Sequence, residues 1–129
     1  MGSIFSKIIS GEIPSHKIAE NDRFLAFLDI NPLAKGHTLV IPKREVDYIF
    51  DLPEELLSEI LIFSKSVAAK IEAAMDCERI GISIIGLEVP HAHVHLIPIN
   101  SVSDMNFSKP KLDLSQEELA EIAAKINRS

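Results

Sequence analysis

Three of the five histidines in this 129-residue chain stand at strict two-residue spacing, in the stretch His91-Ala92-His93-Val94-His95-Leu96-Ile97. A two-residue period is that of a β-strand, so the spacing predicts a strand over these residues. The three imidazoles would share one face, and Ala92, Val94 and Leu96 would face a core. Because a strand rises about 3.3 Å per residue, neighbouring histidines would lie roughly 6.6 Å apart. Such a row can span one or two phosphate groups.

Three interpretations of the histidine row compete. The first is a polar face on a half-buried strand, which Thr, Lys, Ser or Glu would serve as readily. The second is a zinc site, but zinc needs its nitrogens at about 2.0 to 2.1 Å in a tetrahedron, and the outer two histidines of one strand start too far apart. The third is phosphoryl chemistry, in which a neutral imidazole attacks phosphorus while a protonated neighbour stabilises the charge. Only the third uses all three histidines.

Composition excludes several function classes. The formal charge is −6 and no run of Lys or Arg forms a stripe, which argues against a nucleic-acid partner. The single cysteine, Cys77, excludes an internal disulfide framework and suits a reducing compartment. The N-terminus lacks the features of a signal peptide, and no apolar stretch approaches the ~18 residues that span a bilayer. We therefore expect a cytoplasmic protein with no membrane partner.

The positions of apolar and turn residues predict a single domain over residues 1–129. A long helix is indicated from Pro53 to Ala74, and a capping box at Ser115 opens a last helix over about residues 115–127. The remaining predicted elements are a turn or short helix at Ser3–Ile9 and strands at Ile18–Glu20, Phe24–Asp29, His37–Pro42 and Arg79–Ile85. The last of these turns at Gly86 into the histidine strand, too closely for a parallel crossover.

Several segments of the sequence resemble those of a known protein family. The histidine stretch is similar to the His-φ-His-φ-His-φ-φ signature (φ apolar) of the histidine-triad (HIT) family of nucleotide hydrolases and transferases. The N-terminal half also resembles that family, in Ile4–Ile9, Gly11–Ser15, Leu25–Pro32 and Gly36–Lys43. Together these blocks cover about residues 3–98. The resemblance implies an α+β, HIT-like fold with a five-stranded antiparallel sheet, one long central helix and a C-terminal helix, usually paired as a homodimer.

The resemblance also implies an activity and its residues. The family binds a purine nucleoside 5′-phosphate and cleaves its α-phosphorus from a second group. By analogy His93 is the nucleophile that forms a nucleotidyl-histidine, the His91 carbonyl fixes its tautomer, and His95 and His37 stabilise the phosphate charge. Asp29, followed by Ile30, would accept the ribose hydroxyls. The base would lie among Phe5, Ile8, Ile13 and Phe27, and no cofactor is expected.

Plainer interpretations of these residues remain open. Asp29 could simply begin the turn at Asn31-Pro32, since Asp is a common turn residue. The four apolar residues could be ordinary core, which is compatible with a base pocket. His37 could be no more than the start of a strand.

Two departures from the family pattern bear on chemistry. Relatives with a structural zinc carry cysteines at the positions of Ser3 and Ser6 and a histidine at that of Glu45, so we expect no structural zinc and no metal. Many relatives also carry an Asn or Gln and a Gly-rich loop before the triad. The corresponding Ser83–Pro90 stretch is shorter, has no amide side chain, and puts Glu88 where a small hydroxyl residue often faces the leaving group.

Glu88 has two interpretations. A carboxylate beside a phosphoanhydride is repulsive when ionised, so a functional Glu88 needs protonation, a metal or a cationic leaving group. Protonated, it could act as a general acid. Alternatively it turns outward and pairs with Lys or Arg.

Two functions follow for the whole chain. One is a phosphoramidase-like or dinucleoside polyphosphate hydrolase-like enzyme acting through His93. The other is a slow or non-catalytic nucleotide-binding regulatory module of the same fold, which the lost amide and Gly-rich loop would favour.

Overall fold

The computed structural model describes residues 2–129. In chain order its elements are α1 (Ile4–Ser10), β1 (Lys17–Glu20), β2 (Phe24–Leu28), β3 (Thr38–Pro42), a 3-10 helix (Ile49–Asp51), α2 (Glu54–Ala74), β4 (Arg79–Ser83), β5 (Val94–Ile99), a second 3-10 helix (Val102–Met105) and α3 (Gln116–Asn127). Every strand pairing is antiparallel, and the strands lie in the order β1-β2-β3-β5-β4. The expected α+β fold, with a five-stranded antiparallel sheet, a long helix and a C-terminal helix, is confirmed.

The middle of the sheet is covered on both faces because its strands alternate two sets of apolar side chains. On one face Val40, Val94 and Leu96 belong to a cluster that includes residues of α2 and α3. On the other face Leu39 and Ile41 pack with residues of β2 and α1 in a smaller cluster. The histidines lie on the side of this smaller cluster, because His95 is directly opposite Leu39 across β3 and β5.

Helix α2 buries one face against the sheet. Its buried residues recur at three- and four-residue steps, as the sequence predicts: Ile60, Ser64, Val67, Ile71 and Ala74. Glu54 and Glu55 lie in its first turn, where the helix dipole favours negative charge. Pro53 is the N-cap rather than the first helical residue, a shift of one position.

Helix α3 closes the same layer. The predicted capping box is present, since the Ser115 hydroxyl accepts the Glu118 N–H at 3.0 Å and the Glu118 carboxylate accepts the Ser115 N–H at 3.1 Å. At its other end the Asn127 side chain donates to the Lys17 carbonyl at 3.0 Å, which fastens α3 to β1. Within residues 2–129, the helices are too short or too polar for any of them to cross a membrane.

The histidine stretch is only partly a strand. The sequence predicts a strand from His91, but β5 begins at Val94, and β4 ends at Ser83 rather than Ile85. Just before β5 the backbone does not pair with a neighbouring strand. Instead, the Ala92 N–H donates to the carbonyl of Val46, which lies outside the strands, at 2.7 Å. The two-residue alternation nevertheless persists: Ala92 faces the larger core cluster, while the histidines face the other side.

Candidate active site

Four buried histidines from two segments form the centre of the site. His91 and His93 precede β5, His95 lies on β5, and His37 immediately precedes β3. Their exposed fractions are 0%, 5%, 9% and 1% in that order. Buried imidazoles need partners for both ring nitrogens, so their hydrogen bonds determine which nitrogen carries the proton.

The ring of His93 has one defined tautomer. Its Nδ1 lies 2.7 Å from the backbone oxygen of His91. A carbonyl can only accept, so Nδ1 carries the proton and Nε2 keeps a free lone pair. Phe5 packs edge-on against the ring with 5.1 Å between centroids. The arrangement leaves a single oriented nucleophilic nitrogen on His93.

His37 and His95 form a directed pair. The Leu33 N–H donates to His37 Nδ1 at 3.0 Å, so the proton of a neutral His37 is on Nε2. That Nε2 lies 3.0 Å from His95 Nδ1 and donates to it, which puts the proton of His95 on its own Nε2. The pair thus ends in an N–H donor on His95.

Burial keeps this pair uncharged near neutral pH. It lowers the pKa of His37 to about 3, helped by the charges of His95 and Lys111. Burial likewise lowers the pKa of His95 to about 4, helped by His93 and Lys111. In the free protein these two rings therefore supply hydrogen bonds rather than charge, and a protonated neighbour during phosphoryl chemistry stays a prediction.

His91 is fixed by a separate network. Its Nε2 donates to the Pro42 carbonyl at 2.8 Å, and its Nδ1 accepts from the Ser3 hydroxyl at 2.9 Å. Glu45 accepts from the Ser3 N–H at 2.8 Å and from the Ser6 hydroxyl. These contacts, led by the Ser6 hydroxyl, hold the pKa of Glu45 below its usual value. The set is mutually satisfied by hydrogen bonds and, with hydroxyls in place of thiolates, does not suit a structural zinc.

Asp29 lies beside the pair of His37 and His95. Its Oδ2 is 3.6 Å from His37 Nε2, and its Oδ1 accepts the Asn31 N–H at 2.9 Å, which is the turn contact that the plainer interpretation expects. Burial raises the pKa of Asp29 above its usual value. The Asn31 N–H and the charges of His93 and Lys111 lower this pKa, but they offset the effect of burial only in part. The carboxyl group thus takes part in the turn and also borders the histidines.

The ligand atoms of Asp29, His37 and His95 lie within 4.8 Å of one another, a spacing that could hold a metal ion. The hydrogen bonds argue against it. Because the Leu33 N–H occupies the lone pair of His37 Nδ1, the Nε2 that faces the other two groups carries the proton and cannot ligate. Moving the proton would turn two N–H groups against each other.

The predicted base-site residues are only partly brought together. Phe5 and Phe27 are buried with 5.7 Å between ring centroids, and the partly buried Ile8 packs on the same cluster. Ile13 is partly buried and its N–H donates to the Lys7 carbonyl at the end of α1. Ile30 is 56% exposed, next to Asp29.

Glu88 is exposed, and it makes no ion pair with any Lys or Arg within residues 2–129. Its negative charge acts on Asp29 and raises the pKa of that carboxyl. Glu88 therefore contributes to the electrostatics of the site from its rim.

Two further residues, Phe107 and Lys111, act on the histidines; from the sequence, the Met105–Phe107 segment could shape the far side of the substrate or a partner surface. The ring of Phe107 lies 4.8 Å from that of His95 and 6.3 Å from that of His37, edge-on to both. The charge of Lys111 acts on three site groups, Asp29, His37 and His95. No local pattern marks either residue, because both come from an irregular stretch far along the chain.

Surface depressions elsewhere hold none of these groups. One of about 350 Å³ is lined by residues that include Arg23, Lys43 and Arg44, and one of about 690 Å³ by residues that include Asn21 and Phe63. The histidine site lies elsewhere, where buried polar side chains converge.

The fold is an α+β fold with a five-stranded antiparallel sheet. Its site contains the hydrogen-bonded pair of His37 and His95 beside His93, whose ring has one tautomer. The HIT domain profile matches residues 10–102. An uncharacterized HIT-like protein of Borreliella burgdorferi is 36% identical over 132 residues, covering 96% of this chain and 95% of that protein. The adenosine 5′-monophosphoramidase of Schizosaccharomyces pombe is 35% identical over 133 residues, covering 98% and 97%.

Solved structures agree. The crystal structure of a HIT-like protein involved in cell-cycle regulation from Bartonella henselae matches with a TM-score of 0.84 at 32% identity, covering 98% of this chain and 95% of that one. The chain belongs to the HIT family, whose members include proteins named adenosine 5′-monophosphoramidase.

Proposed function

We propose that this protein is a nucleotide hydrolase or transferase that cleaves the α-phosphorus bond of a purine nucleoside phosphate through a covalent nucleotidyl-histidine on His93. The substrate would be of the phosphoramidate or dinucleoside polyphosphate type. The observation that carries the proposal is the 2.7 Å bond from His93 Nδ1 to the His91 carbonyl, which selects the neutral tautomer with its lone pair on Nε2. The relative named adenosine 5′-monophosphoramidase supports the same chemistry.

The reaction proceeds in two displacements. His93 Nε2 attacks the α-phosphorus, and the bond to the leaving nitrogen or oxygen breaks with its electron pair going to the leaving atom. A leaving nitrogen takes up a proton from solvent and departs as ammonia or an amine. The ring becomes cationic, and its Nδ1–H bond to the His91 carbonyl becomes charge-assisted and stronger. Water then attacks phosphorus and gives up a proton to solvent, the P–Nε2 bond breaks with its electron pair returning to Nε2, and the nucleoside monophosphate leaves.

The neighbouring histidines act as oriented donors. The chain from Leu33 through His37 leaves a proton on His95 Nε2, which we assign to a phosphoryl oxygen. A donor that is already oriented in a buried site costs little reorganisation when charge develops on the phosphoryl group. Both rings act in the neutral form that burial favours.

The nucleoside would be held on the α1 side of the sheet. Phe5, Ile8 and Phe27, which pack in one cluster, would offer apolar walls for a purine base together with Ile13 and the exposed Ile30. The Asp29 carboxylate, at the end of β2, would accept the ribose hydroxyls. Glu88, exposed at the rim, would influence the choice of leaving group through its charge.

The protein would act in the cytoplasm as a homodimer, without a nucleic-acid or membrane partner. The acidic net charge and single cysteine support the compartment and the exclusion of nucleic acid. An exposed apolar edge at β4 supports the dimer.

The proposal is tested by AMP release from adenosine 5′-phosphoramidate and from diadenosine triphosphate, with a chelator present. Replacement of the nucleophile in His93→Ala should lower the rate on the order of a thousandfold or more. His16→Ala is the matched control, since His16 bonds the Gln116 side chain away from the site.

Three outcomes are distinct. Release by wild type and His16→Ala but not by His93→Ala supports covalent catalysis. Release that persists in His93→Ala rules out this nucleophile. Tight AMP binding without release from either substrate supports the non-catalytic module instead, with the shortened Ser83–Pro90 stretch as the first suspect.

A further inference from the structure

The segment from Met105 to Leu112 covers the histidines, although it lies beyond residues 10–102 that the family profile matches. Its Phe107 ring packs edge-on against His95, with 4.8 Å between centroids. Its far end is tied to the opposite side of the site, because the Leu112 N–H donates to the Pro32 carbonyl at 2.8 Å. Pro32 belongs to the loop that joins Asp29 to His37. The segment therefore bridges the two halves of the site.

Local hydrogen bonds fix the course of this segment. The Asn106 side chain accepts from the Ser108 N–H at 3.0 Å, and the Lys109 N–H donates to the Asn106 carbonyl at 3.2 Å. The Lys111 ammonium donates to the Phe107 carbonyl at 2.5 Å. An exposed lysine is thus held at the backbone of the residue whose ring covers His95.

The charges at the site need such a cation. Asp29 and Glu88 are carboxylates, and His37 and His95 supply hydrogen bonds without charge. A leaving group that carries phosphates would meet two negative side chains. The Lys111 charge acts on Asp29 with the opposite sign to that of Glu88 and lowers the pKa of that carboxyl.

We propose that Phe107 and Lys111 form a leaving-group subsite, in which the Lys111 ammonium binds the anionic phosphates of an acidic leaving group beside the ring that covers His95. This inference rests on the proposed function and selects one of its two substrate types, nucleotides whose α-phosphorus is joined to a further phosphate. Phe107 excludes water from one side of His95, which strengthens the charge interaction.

The test compares leaving groups of different charge on the same nucleoside. Ammonia leaves adenosine 5′-phosphoramidate, whereas ADP leaves diadenosine triphosphate. Lys111→Met should lower kcat/KM for the triphosphate about tenfold more than for the phosphoramidate, because a charge-assisted contact is lost for one leaving group only. Lys111→Arg should restore the wild-type ratio of the two substrates.

Lys109→Met is the matched control, since it removes the same charge two residues away and the Lys109 side chain is exposed. It should leave the substrate ratio at its wild-type value. If Lys111 only closes the turn through the Phe107 carbonyl, Lys111→Met will lower kcat/KM equally for both substrates, and the subsite is ruled out.

Failure of the proposed function gives a different result. If wild type hydrolyses neither substrate, the catalytic proposal fails and the subsite is judged by equilibrium binding of ATP and AMP. Lys111→Met should then weaken ATP binding severalfold more than AMP binding. Equal weakening of the two nucleotides overturns the subsite.

Discussion

At the scale of single residues, the four site histidines differ because each ring has a different partner. The Leu33 N–H donates to His37, and His37 in turn donates to His95, so this chain of hydrogen bonds leaves an N–H donor on His95. His91 is fixed between a hydroxyl and a carbonyl, and its own backbone oxygen orients His93. Four identical side chains, three of them in one row, thus become a support, a ring with one oriented lone pair, and a hydrogen-bonded pair. The distinction comes from contacts rather than from residue type.

The buried pair should make the free energy of unfolding depend on pH. In the unfolded chain a histidine binds its proton near pH 6.5, whereas in the folded protein burial delays this to about 3 for His37 and about 4 for His95. Between about pH 6.5 and 5 the unfolded state therefore binds more protons, and stability should fall as the pH falls. The limit is about 1.4 kcal/mol per pH unit for each histidine. Urea unfolding at a series of pH values measures it.

His37→Asn should remove the proton that His37 takes up in the unfolded state. The pH dependence of the free energy of unfolding should then fall to roughly half. Lys65→Gln, which removes an exposed charge on α2, should keep the wild-type slope. The window stops near pH 5 because the raised pKa of Asp29 has the opposite sign at lower pH. A wild-type free energy that stays flat from pH 7 to 5 would contradict burial of neutral rings.

At the scale of elements, sequence analysis predicted what depends on neighbours along the chain. The periodic apolar residues of α2 and the capping box at Ser115 were sufficient to place both helices within a residue or two. The strand start at His91 was wrong, because the bond from Ala92 to Val46 joins residues 46 positions apart. Periodicity reports which face a residue takes, and it does not report whether the backbone pairs in a sheet.

The loop before β3 should be sensitive to one side chain. Gly36 has a φ of 94°, and an added Cβ would lie 3.0 Å from Met75 Cγ and 3.2 Å from Pro98 Cγ. Gly36→Ala should therefore cost the left-handed strain of about 1–2 kcal/mol plus overpacking of roughly 1–3 kcal/mol. Since His37 follows directly, AMP binding should weaken as well. Urea unfolding and a binding titration measure the two effects.

Gly11→Ala provides the control for backbone strain. Gly11 has a φ of 87° at the end of α1, but nothing lies within 4 Å of its added Cβ. It should lose only the strain term, about 1–2 kcal/mol. Equal destabilisation by both substitutions would mean that the neighbours of Gly36 move aside at no cost.

At the scale of the whole molecule, the contacts that complete the site join distant parts of the chain. Ser3 and His91 are 88 positions apart, and Phe107 and Lys111 reach histidines from beyond the sheet. No spacing rule connects such residues, so the sequence pointed to the triad for the chemistry and left open whether the Met105–Phe107 segment shapes the far side of the substrate or a partner surface. Sequence analysis named Phe5 and Phe27 through family resemblance, where their pattern alone also fits ordinary core.

The open edge of the sheet should determine the oligomeric state. Within residues 2–129, strand β4 pairs only with β5. The exposed fractions of Ile82, Ile84 and Ile85, which lie on and just after β4, are 50%, 37% and 48%. An exposed apolar edge strand is a template for pairing with another chain. At the other edge β1 carries the ion-paired Lys17 and Glu20, which suits solvent. We expect two copies to associate through β4, which would cover these isoleucines in both.

The double substitution Ile82→Lys and Ile84→Lys should convert the dimer to a monomer, because two like charges in each copy would face those of the other. Ile4→Lys is the control, since Ile4 is 51% exposed on α1, away from that edge. Sedimentation equilibrium should give twice the chain mass for wild type and Ile4→Lys, and the single-chain mass for the double variant. The circular dichroism spectrum should be unchanged, because both positions are solvent-exposed in the single chain. A dimer that survives the double substitution would place the interface elsewhere, and a monomeric wild type would exclude the dimer.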